Sequence, residues 1–392
     1  MRFGTRSWLA AWMVAVVMAC GDDDGGSKQA NLAADAGSDA ASDDMKPVKL
    51  ATPKPVPKAD LDELIGLGIR EFLGKAKPTK SETIQGMSGV NDGSIVYDFD
   101  PADGPKCLRG SAFQMSVLDQ GSKNLMIYLQ GGGACVSVIC QATTEPTPRG
   151  VPKLGVLDPS DAENPVANWN IVYVPYCDGS VFGGDHDLTD MTGMRFHHGQ
   201  RNFAAALDRA LEHFPHPEKV LLAGSSAGGW GTVYHRALVR TAYPDAELTV
   251  MNDSGIGFSV NSELVTSEWG SGPRYRPPSC EACQTRQHMS TFVKYDLDHD
   301  PGIVVGDFSS YEDSVIQRFT FTDGPTFHSL LLEETGIPGQ AFPDRYKRFF
   351  INGSQHTSLQ RGFHTTQING VTIAQWLGLM IARDPAWTEM LE

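Results

Sequence analysis

The chain has 392 residues, of which 41% are hydrophobic, and its formal net charge at pH 7 is −15. This length can hold one large domain or two smaller ones. The negative charge argues against a nucleic-acid-binding function, because phosphate backbones need a basic protein face.

The first 19 residues have the pattern of a secretory signal. Arg2 and Arg6 form a short positive region, and residues 8–19 are apolar and uncharged. This run is too short to span a membrane, which takes about 20 apolar residues. Cys20 follows the small residue Ala19 and precedes a polar Gly/Asp run. We therefore predict a lipidated Cys20 and an exported, membrane-anchored lipoprotein of the bacterial cell envelope or cell surface.

Residues 20–58 show no apolar periodicity and become proline-rich towards their end. Such a segment cannot bury enough apolar surface to fold. We predict a disordered tether that is flexible first and stiffer where the prolines lie. Residues 59–392 are predicted to form one domain that this tether holds off the membrane.

Six cysteines remain beyond Cys20, and an even number in an exported protein favours disulfides. Six cysteines allow fifteen pairings, and the sequence does not select among them. The pair Cys280 and Cys283 could suggest zinc, but no second pair at ligand spacing follows it, so no metal is predicted. The six residues are Cys107, Cys135, Cys140, Cys177, Cys280 and Cys283.

Short β-rich runs alternate with helix-compatible stretches in the globular part. This alternation predicts an α/β fold with a mostly parallel central sheet and helices on both faces. In such sheets, functional sites form beyond the C-terminal ends of the strands. The predicted strands are 113–118, 125–129, 170–176, 220–223, 248–251, 303–305 and 348–351, and the clearest helices are 200–214 and 230–239.

A glycine-rich turn, Gly131-Gly132-Gly133-Ala134, follows one of the early strands. Three consecutive glycines exceed what a plain turn needs. Such turns leave backbone N–H groups free to face a developing oxyanion. The turn is therefore predicted to supply part of an oxyanion hole.

The hexapeptide Gly224-Ser225-Ser226-Ala227-Gly228-Gly229 lies between a predicted strand and a predicted helix. A G-x-S-x-G sequence in this setting forms a nucleophile elbow, a sharp turn that exposes the serine hydroxyl. The following helix directs its positive N-terminal dipole at the same point. We predict that Ser226 is a nucleophile and that the N–H of Ala227 completes the oxyanion hole.

An acid and a histidine are expected after the serine, each following a later strand. His356 lies directly beyond the last predicted strand. Asp307, Glu312 and Asp313 all follow the preceding one, and their positions alone leave these three open. The segment Asp296-x-Asp298-x-Asp300 resembles the start of a calcium loop, but Pro301 replaces the required glycine, so we interpret it as an acidic turn.

Together these segments resemble the pectin acetylesterase and Notum family of serine carboxylesterases. They follow the family order over about residues 90–380. The most diagnostic are Gly-Gly-Gly-x-Cys at 131–135 and Tyr-Cys-Asp-Gly-Ser at 176–180. The others are Gly199-Gln200-Arg201, the hexapeptide at 224–229, Asn252-Asp253-Ser254-Gly255, Ser310-Tyr311-Glu312-Asp313-Ser314 and Asn352-Gly353-Ser354-Gln355-His356.

The resemblance implies an α/β-hydrolase-like fold in which Ser226 is the nucleophile, Asp313 the acid and His356 the base. It implies acyl-enzyme ester hydrolysis that needs no cofactor and no metal. The chain has Ala134 where the family usually has tryptophan, which bears on the pocket wall. The oxyanion donors implied are Gly132, Gly133 and Ala227.

The leading hypothesis is a serine esterase that removes small acyl groups, such as acetyl, from an extracellular polysaccharide or related glycan. A second hypothesis is a lipid or long-chain acyl esterase of the Notum type. A third hypothesis is a non-catalytic, surface-anchored binding protein on a hydrolase scaffold. The complete set of serine, acid and histidine argues against this third hypothesis. The predicted partners are thus an acylated small-molecule or glycan substrate and, through the lipid, a membrane.

Overall fold

The computed structural model describes residues 55–191, 193–256, 262–285 and 288–392. The predicted signal, the predicted lipidation site at Cys20 and almost all of the predicted tether lie outside these residues. None of the described helices combines the length and the apolar character that a membrane crossing needs.

Sixteen strands and nine α-helices lie in the described residues. The strands are β1 (Pro78–Thr83), β2 (Ile95–Phe99), β3 (Gln114–Leu118), β4 (Asn124–Leu129), β5 (Gly133–Val136), β6 (Ile139–Ala142), β7 (Asn170–Val174), β8 (His186–Asp190), β9 (Gly193–His197), β10 (Lys219–Ser225), β11 (Glu247–Asp253), β12 (Val304–Ser310), β13 (Tyr346–Ile351), β14 (Gln367–Ile368), β15 (Val371–Thr372) and β16 (Met390–Leu391). The helices are α1 (Asp62–Gly66), α2 (Gly199–His213), α3 (Ala227–Ala242), α4 (Ser262–Trp269), α5 (Glu281–Thr285), α6 (Met289–His299), α7 (Ser314–Thr320), α8 (Gly324–Ala341) and α9 (Ile373–Ala382).

Ten of these strands form one sheet, in the order β1-β2-β3-β7-β4-β10-β11-β12-β13-β16. The pairings from β7 to β16 are all parallel, and only those among β1, β2, β3 and β7 are antiparallel. Every predicted strand overlaps a strand of this sheet. The prediction of a mostly parallel α/β fold is therefore confirmed.

Side chains of β4 alternate between two buried layers, one on each face of the sheet. Leu125 and Ile127 pack into the layer that contains α2 and α3 residues such as Phe203 and Leu238. Met126 and Tyr128, the alternate residues of the strand, pack into the other layer, which contains Trp376 and Leu377 of α9. Because successive side chains of a strand point to opposite faces, a strand covered by helices on both faces must be apolar at every position.

Two sequence predictions about strand and turn boundaries are wrong. The strand predicted at 303–305 continues to Ser310, so Asp307 lies inside β12 and not at its end. The predicted acidic turn is helical: Asp296 and Asp298 lie in α6, and Asp300 caps its end. The reason is tertiary, because Asp296 and Asp300 form buried ion pairs with Arg236 and Arg240 of α3.

The six cysteines form three disulfides, Cys107–Cys177, Cys135–Cys140 and Cys280–Cys283. The predicted presence of disulfides is confirmed, and the structure selects the pairing that the sequence left open. The Cys135–Cys140 bond closes the β5–β6 hairpin directly after the glycine-rich turn. The turn is thus held between a strand of the central sheet and a cross-linked hairpin.

Candidate active site

Ser226 occupies the sharp turn between β10 and α3. Its φ is 57° and its ψ is −119°, a conformation that L residues rarely adopt. Glycine is needed on both sides, because a Cβ at Gly224 would lie 2.2 Å from the carbonyl oxygen of Gly228. A Cβ at Gly228 would lie 2.0 Å from that of Leu129. The G-x-S-x-G spacing therefore has a direct steric cause.

The side chain of Ser226 makes no capping hydrogen bond to α3, although it precedes the first helical residue. Its N–H donates to the main-chain oxygen of Asp253 at 2.7 Å, which ties the turn to β11. The residue lines a cavity at the C-terminal edge of the sheet. The fold thus supports the serine backbone from a neighbouring strand and leaves its hydroxyl available at the N-terminus of α3.

The glycine-rich turn packs against this elbow. A Cβ at Gly131 would lie 2.7 Å from the carbonyl oxygen of Ser225 and 3.0 Å from the Cβ of Ser226. Gly133 has a φ of 80° and lines the same cavity as Ser226 and Ala227. Gly132 lies beside them, closely covered by the Tyr176 ring and the Thr143 side chain. Two predicted oxyanion donors, Gly132 and Gly133, therefore lie beside the serine in a turn too crowded for side chains, and the third, Ala227, begins α3.

Asp313 and His356 come together beyond the ends of β12 and β13. Nδ1 of His356 donates to Oδ2 of Asp313 at 2.8 Å. The other oxygen of Asp313 accepts the N–H groups of Val315 and Ile316, both at 3.0 Å, and so caps α7. Asp313 is fully buried, whereas the His356 side chain is 18% exposed. The helix cap and the imidazole thus fix this carboxylate from opposite sides.

The tautomer of His356 follows from this bond. With Nδ1 donating its hydrogen to Asp313, the neutral ring carries its lone pair on Nε2. Within the described residues, Nε2 is buried and has no hydrogen-bond partner. An unoccupied basic nitrogen beside a buried carboxylate is the arrangement that a general base needs.

The other two candidate acids are not placed at this histidine. Asp307 lies inside β12, where its carboxylate accepts the hydroxyl hydrogen of Tyr346. Burial raises the pKa of Asp307 to about 6. Glu312 is exposed. The structure thus brings together His356 and Asp313, and leaves Asp307 and Glu312 away from the imidazole.

The cavity beside Ser226 has a largely apolar wall. The wall has three sources: the β5–β6 hairpin, two buried or half-buried tryptophans, and helix α7 with the residue that ends it. The apolar lining residues include Val136, Ile139, Trp230, Trp269, Ile316, Phe319 and Phe321.

Of this wall, the sequence analysis identified only Ala134, although two further signals point to the other residues. The Cys135–Cys140 spacing indicates a short cross-linked hairpin directly after the glycine-rich turn. Ile316 and Phe319, at helical spacing after Asp313, place apolar side chains on the same side of α7. Within the part of the chain that the structure describes, no cluster of His, Cys, Asp and Glu is placed to hold a metal ion.

Comparisons with known proteins cover the N-terminal part of this site. Residues 93–271 match the protein family described as Pectinacetylesterase. The match contains the glycine-rich turn and the elbow, and it ends before Asp313 and His356. The proximity of those two residues is therefore an observation of the structure alone.

Individual relatives give the same picture. The chain is 32% identical to Pectin acetylesterase 4 from Arabidopsis thaliana, over 38% of this chain and 40% of the relative. It is 31% identical to Pectin acetylesterase 11 from the same plant, over 39% and 43%. It is 29% identical to Palmitoleoyl-protein carboxylesterase notum1' from Xenopus laevis, over 35% and 31%.

The chain thus spans between about a third and two fifths of the length of these relatives. Both groups of relatives carry names of ester-cleaving enzymes. Part of the chain is therefore similar to pectin acetylesterases and to palmitoleoyl-protein carboxylesterases.

Proposed function

We propose that the protein is a carboxylic ester hydrolase that works through an acyl-enzyme on Ser226. The observation that carries the proposal is the hydrogen bond between His356 and Asp313, at the sheet edge where the elbow exposes Ser226. The match of residues 93–271 to the family described as Pectinacetylesterase supports the same reaction, and so does the similarity of part of the chain to palmitoleoyl-protein carboxylesterases.

In the first half of the reaction, Nε2 of His356 accepts the hydroxyl proton as the Ser226 oxygen attacks the ester carbonyl. Asp313 stabilises the imidazolium that results. Gly132, Gly133 and Ala227 donate N–H groups to the tetrahedral oxyanion, and one such donor contributes roughly 10²–10³ in rate. The histidine then returns the proton to the leaving alcohol, and the acyl group remains on Ser226.

In the second half, water replaces the alcohol. His356 takes a proton from the water as its oxygen attacks the acyl-enzyme carbonyl, and the same donors hold the second oxyanion. Collapse of this intermediate breaks the bond to Ser226, whose oxygen takes the proton back from His356. The products are the free carboxylic acid and the regenerated serine.

The acyl part of the substrate is proposed to enter the apolar cavity beside Ser226. The leading substrate is an acetylated extracellular polysaccharide or glycan, by analogy with the plant relatives. The cavity itself favours a second candidate, a lipid or longer acyl ester. Its lining is largely apolar, with side chains such as Trp230, Ile316 and Phe319, and an apolar lining suits a hydrocarbon chain.

The test compares p-nitrophenyl acetate and p-nitrophenyl octanoate as substrates for the wild type and Ser226→Ala. Hydrolysis of either ester by the wild type, lost by at least about 10³-fold in the variant, is the expected result. A folded wild-type protein that hydrolyses neither ester would refute the esterase function and favour a binding protein. Preference for octanoate selects the long-chain candidate, and preference for acetate selects the deacetylase.

The membrane anchor is a separate proposal. Disulfides fit a protein exported to an oxidising compartment. The small residue before Cys20 and the polar run after it are the features that support lipidation. Cys20→Ser is expected to move the protein from the membrane fraction to the soluble fraction, and unchanged fractionation would count against the anchor.

A further inference from the structure

Asp253 is a second buried carboxylate at the edge of the sheet where Ser226 lies. It ends β11, which pairs directly with β10, the strand that leads into the elbow. Its exposed fraction is 0%. The mechanism above uses no part of this residue, so its burial beside a reacting serine calls for an explanation.

The carboxylate of Asp253 holds the loop that carries His356. One oxygen, Oδ1, accepts the N–H of Ser358 at 2.8 Å and the hydroxyl hydrogen of the same residue at 3.2 Å. The other oxygen, Oδ2, accepts the N–H of Leu359 at 3.0 Å. Two consecutive amides just beyond the histidine are therefore tied to the end of β11.

Two further bonds hold the loop close to the histidine itself. The hydroxyl of Ser254 accepts the N–H of Thr357 at 3.1 Å. The hydroxyl of Ser310 donates to the carbonyl of Gln355 at 2.6 Å. Ser254 and Thr357 have φ values of 58° and 64°, so both adopt conformations that need tertiary contacts to persist. The backbone is thus anchored on both sides of His356.

Asp253 also holds the nucleophile elbow. Its main-chain oxygen accepts the N–H of Ser226, and its Oδ2 accepts the hydroxyl hydrogen of Ser225 at 2.5 Å. The Ser225 hydroxyl in turn bonds the hydroxyl of Tyr128 at 2.7 Å. One buried residue therefore connects the segment that contains the serine with the segment that contains the histidine.

We propose that Asp253 is a positioning residue of the ester hydrolase, which fixes His356 relative to Ser226 and does not touch the substrate. This inference rests on the function proposed above. The side-chain bonds of Asp253 go to the histidine loop and to Ser225, whereas Asp313 is the one residue of the described part of the chain that bonds the imidazole. Reacting groups must be held within a fraction of an ångström, and a misplacement of about 1 Å can cost about 10²-fold in rate.

Asp253→Asn tests the proposal, because an amide has one acceptor oxygen and a carboxylate has two. The variant must leave either the Ser358 side or the Leu359 side facing an NH₂ group. On p-nitrophenyl acetate we expect kcat to fall about 10- to 100-fold while KM stays within about twofold of the wild type.

Asp307→Asn is the matched control, since Asp307 is an equally buried carboxylate on the next strand. Its partners are the hydroxyl of Tyr346 and the side chain of Asn252, and its carboxylate bonds neither Ser225 nor the histidine loop. We expect its kcat to stay within about threefold of the wild type. Three results would overturn the proposal. In the first, Asp253→Asn keeps its kcat within about threefold of the wild type; in the second, both variants lose kcat equally; in the third, the loss in Asp253→Asn lies in KM and not in kcat.

Ser225→Ala provides a milder test if Asp253→Asn does not fold. It removes the bond between the elbow and the carboxylate and leaves both amide bonds of the loop in place. A fall in kcat of about 3- to 10-fold in a folded protein supports the positioning role, and an unchanged kcat overturns it. Wild-type protein inactive on both esters would refute the esterase itself, whereas an active wild type with unaffected variants refutes only the role of Asp253.

Discussion

The two carboxylate oxygens of Asp313 have different partners, and this difference decides what the substitution Asp313→Asn does to His356. Oδ1 is committed to two amides of α7, and Oδ2 faces Nδ1 of His356. In Asp313→Asn the amide oxygen stays with the N–H donors of the helix, so the NH₂ group faces the histidine. Nδ1 must then accept, and the ring hydrogen moves to Nε2, where it prevents proton transfer from Ser226.

We therefore expect Asp313→Asn to lower kcat on p-nitrophenyl acetate by about 10³- to 10⁴-fold, the size of effect known for this change in serine proteases. The folded state should persist, because the helix cap is retained. Asp307→Asn provides the comparison and should keep kcat close to that of the wild type. The opposite ranking of the two variants would assign the acid to Asp307.

The burial of Asp307 makes the stability of the protein depend on pH. Because burial raises its pKa to about 6, the folded state binds this proton more tightly than the unfolded chain does. Its stabilising contribution is present below about pH 4 and is lost as pH rises through about 6.

Asp307→Asn cannot ionise, so its free energy of unfolding relative to the wild type should rise between about pH 4 and pH 7, by roughly 2–3 kcal/mol. Urea unfolding of both proteins at several pH values measures this difference. A difference that does not change with pH would show that the folded protein does not favour the protonated carboxyl.

Among the elements, the β5–β6 hairpin joins the glycine-rich turn to the wall of the cavity beside Ser226, where we propose that the acyl group binds. Gly133 and Ala134 begin the hairpin, and Val136 and Ile139 face the cavity from its two strands. The Cys135–Cys140 bond holds these strands together. A change of side-chain volume on the cavity side of this hairpin should therefore alter acyl-chain length preference without moving the reacting groups.

Ala134→Trp places a large ring in the cavity. We expect kcat/KM for p-nitrophenyl octanoate to fall by at least about tenfold, because the ring occupies the space of the acyl chain, while the value for acetate changes less than about threefold. Val138→Trp is the control, because Val138 lies on the same hairpin, is 64% exposed and does not line the cavity. Equal losses on both esters would show that the cavity does not hold the acyl chain.

At the scale of the whole molecule, the disulfides differ in how much chain they close. Cys107 and Cys177 are 70 residues apart, whereas Cys280 and Cys283 are 3 apart. Loop-closure entropy predicts that loss of the first bond, by substitution of both cysteines with alanine, lowers the free energy of unfolding by about 4 kcal/mol. Loss of the second should lower it by less than about 2 kcal/mol, and denaturant unfolding that gives equal values would contradict the entropic account.

Local patterns predicted well where the local sequence decides the conformation. The elbow is one such place, because the contacts of Gly224 and Gly228 leave no room for a side chain. The central strands are another, because runs of consecutive apolar residues such as 125–129 indicate burial on both faces. The turn predicted at 296–300 is wrong because the partners of this acidic segment, Arg236 and Arg240, lie about 60 residues earlier in the chain. A local pattern does not include contacts at that separation.

Local patterns in the sequence are enough to predict the α/β class, disulfides from an even number of cysteines, and the strand–turn–helix setting of Ser226. The folded chain is needed to show which carboxylate meets His356, which cysteines pair, and that α7 and a cross-linked hairpin wall the cavity. It alone connected Asp253 to both the elbow and the histidine loop. The reason is physical: periodicity and turn chemistry act over a few residues, whereas these contacts depend on which parallel strands become neighbours and which loops their ends bring together.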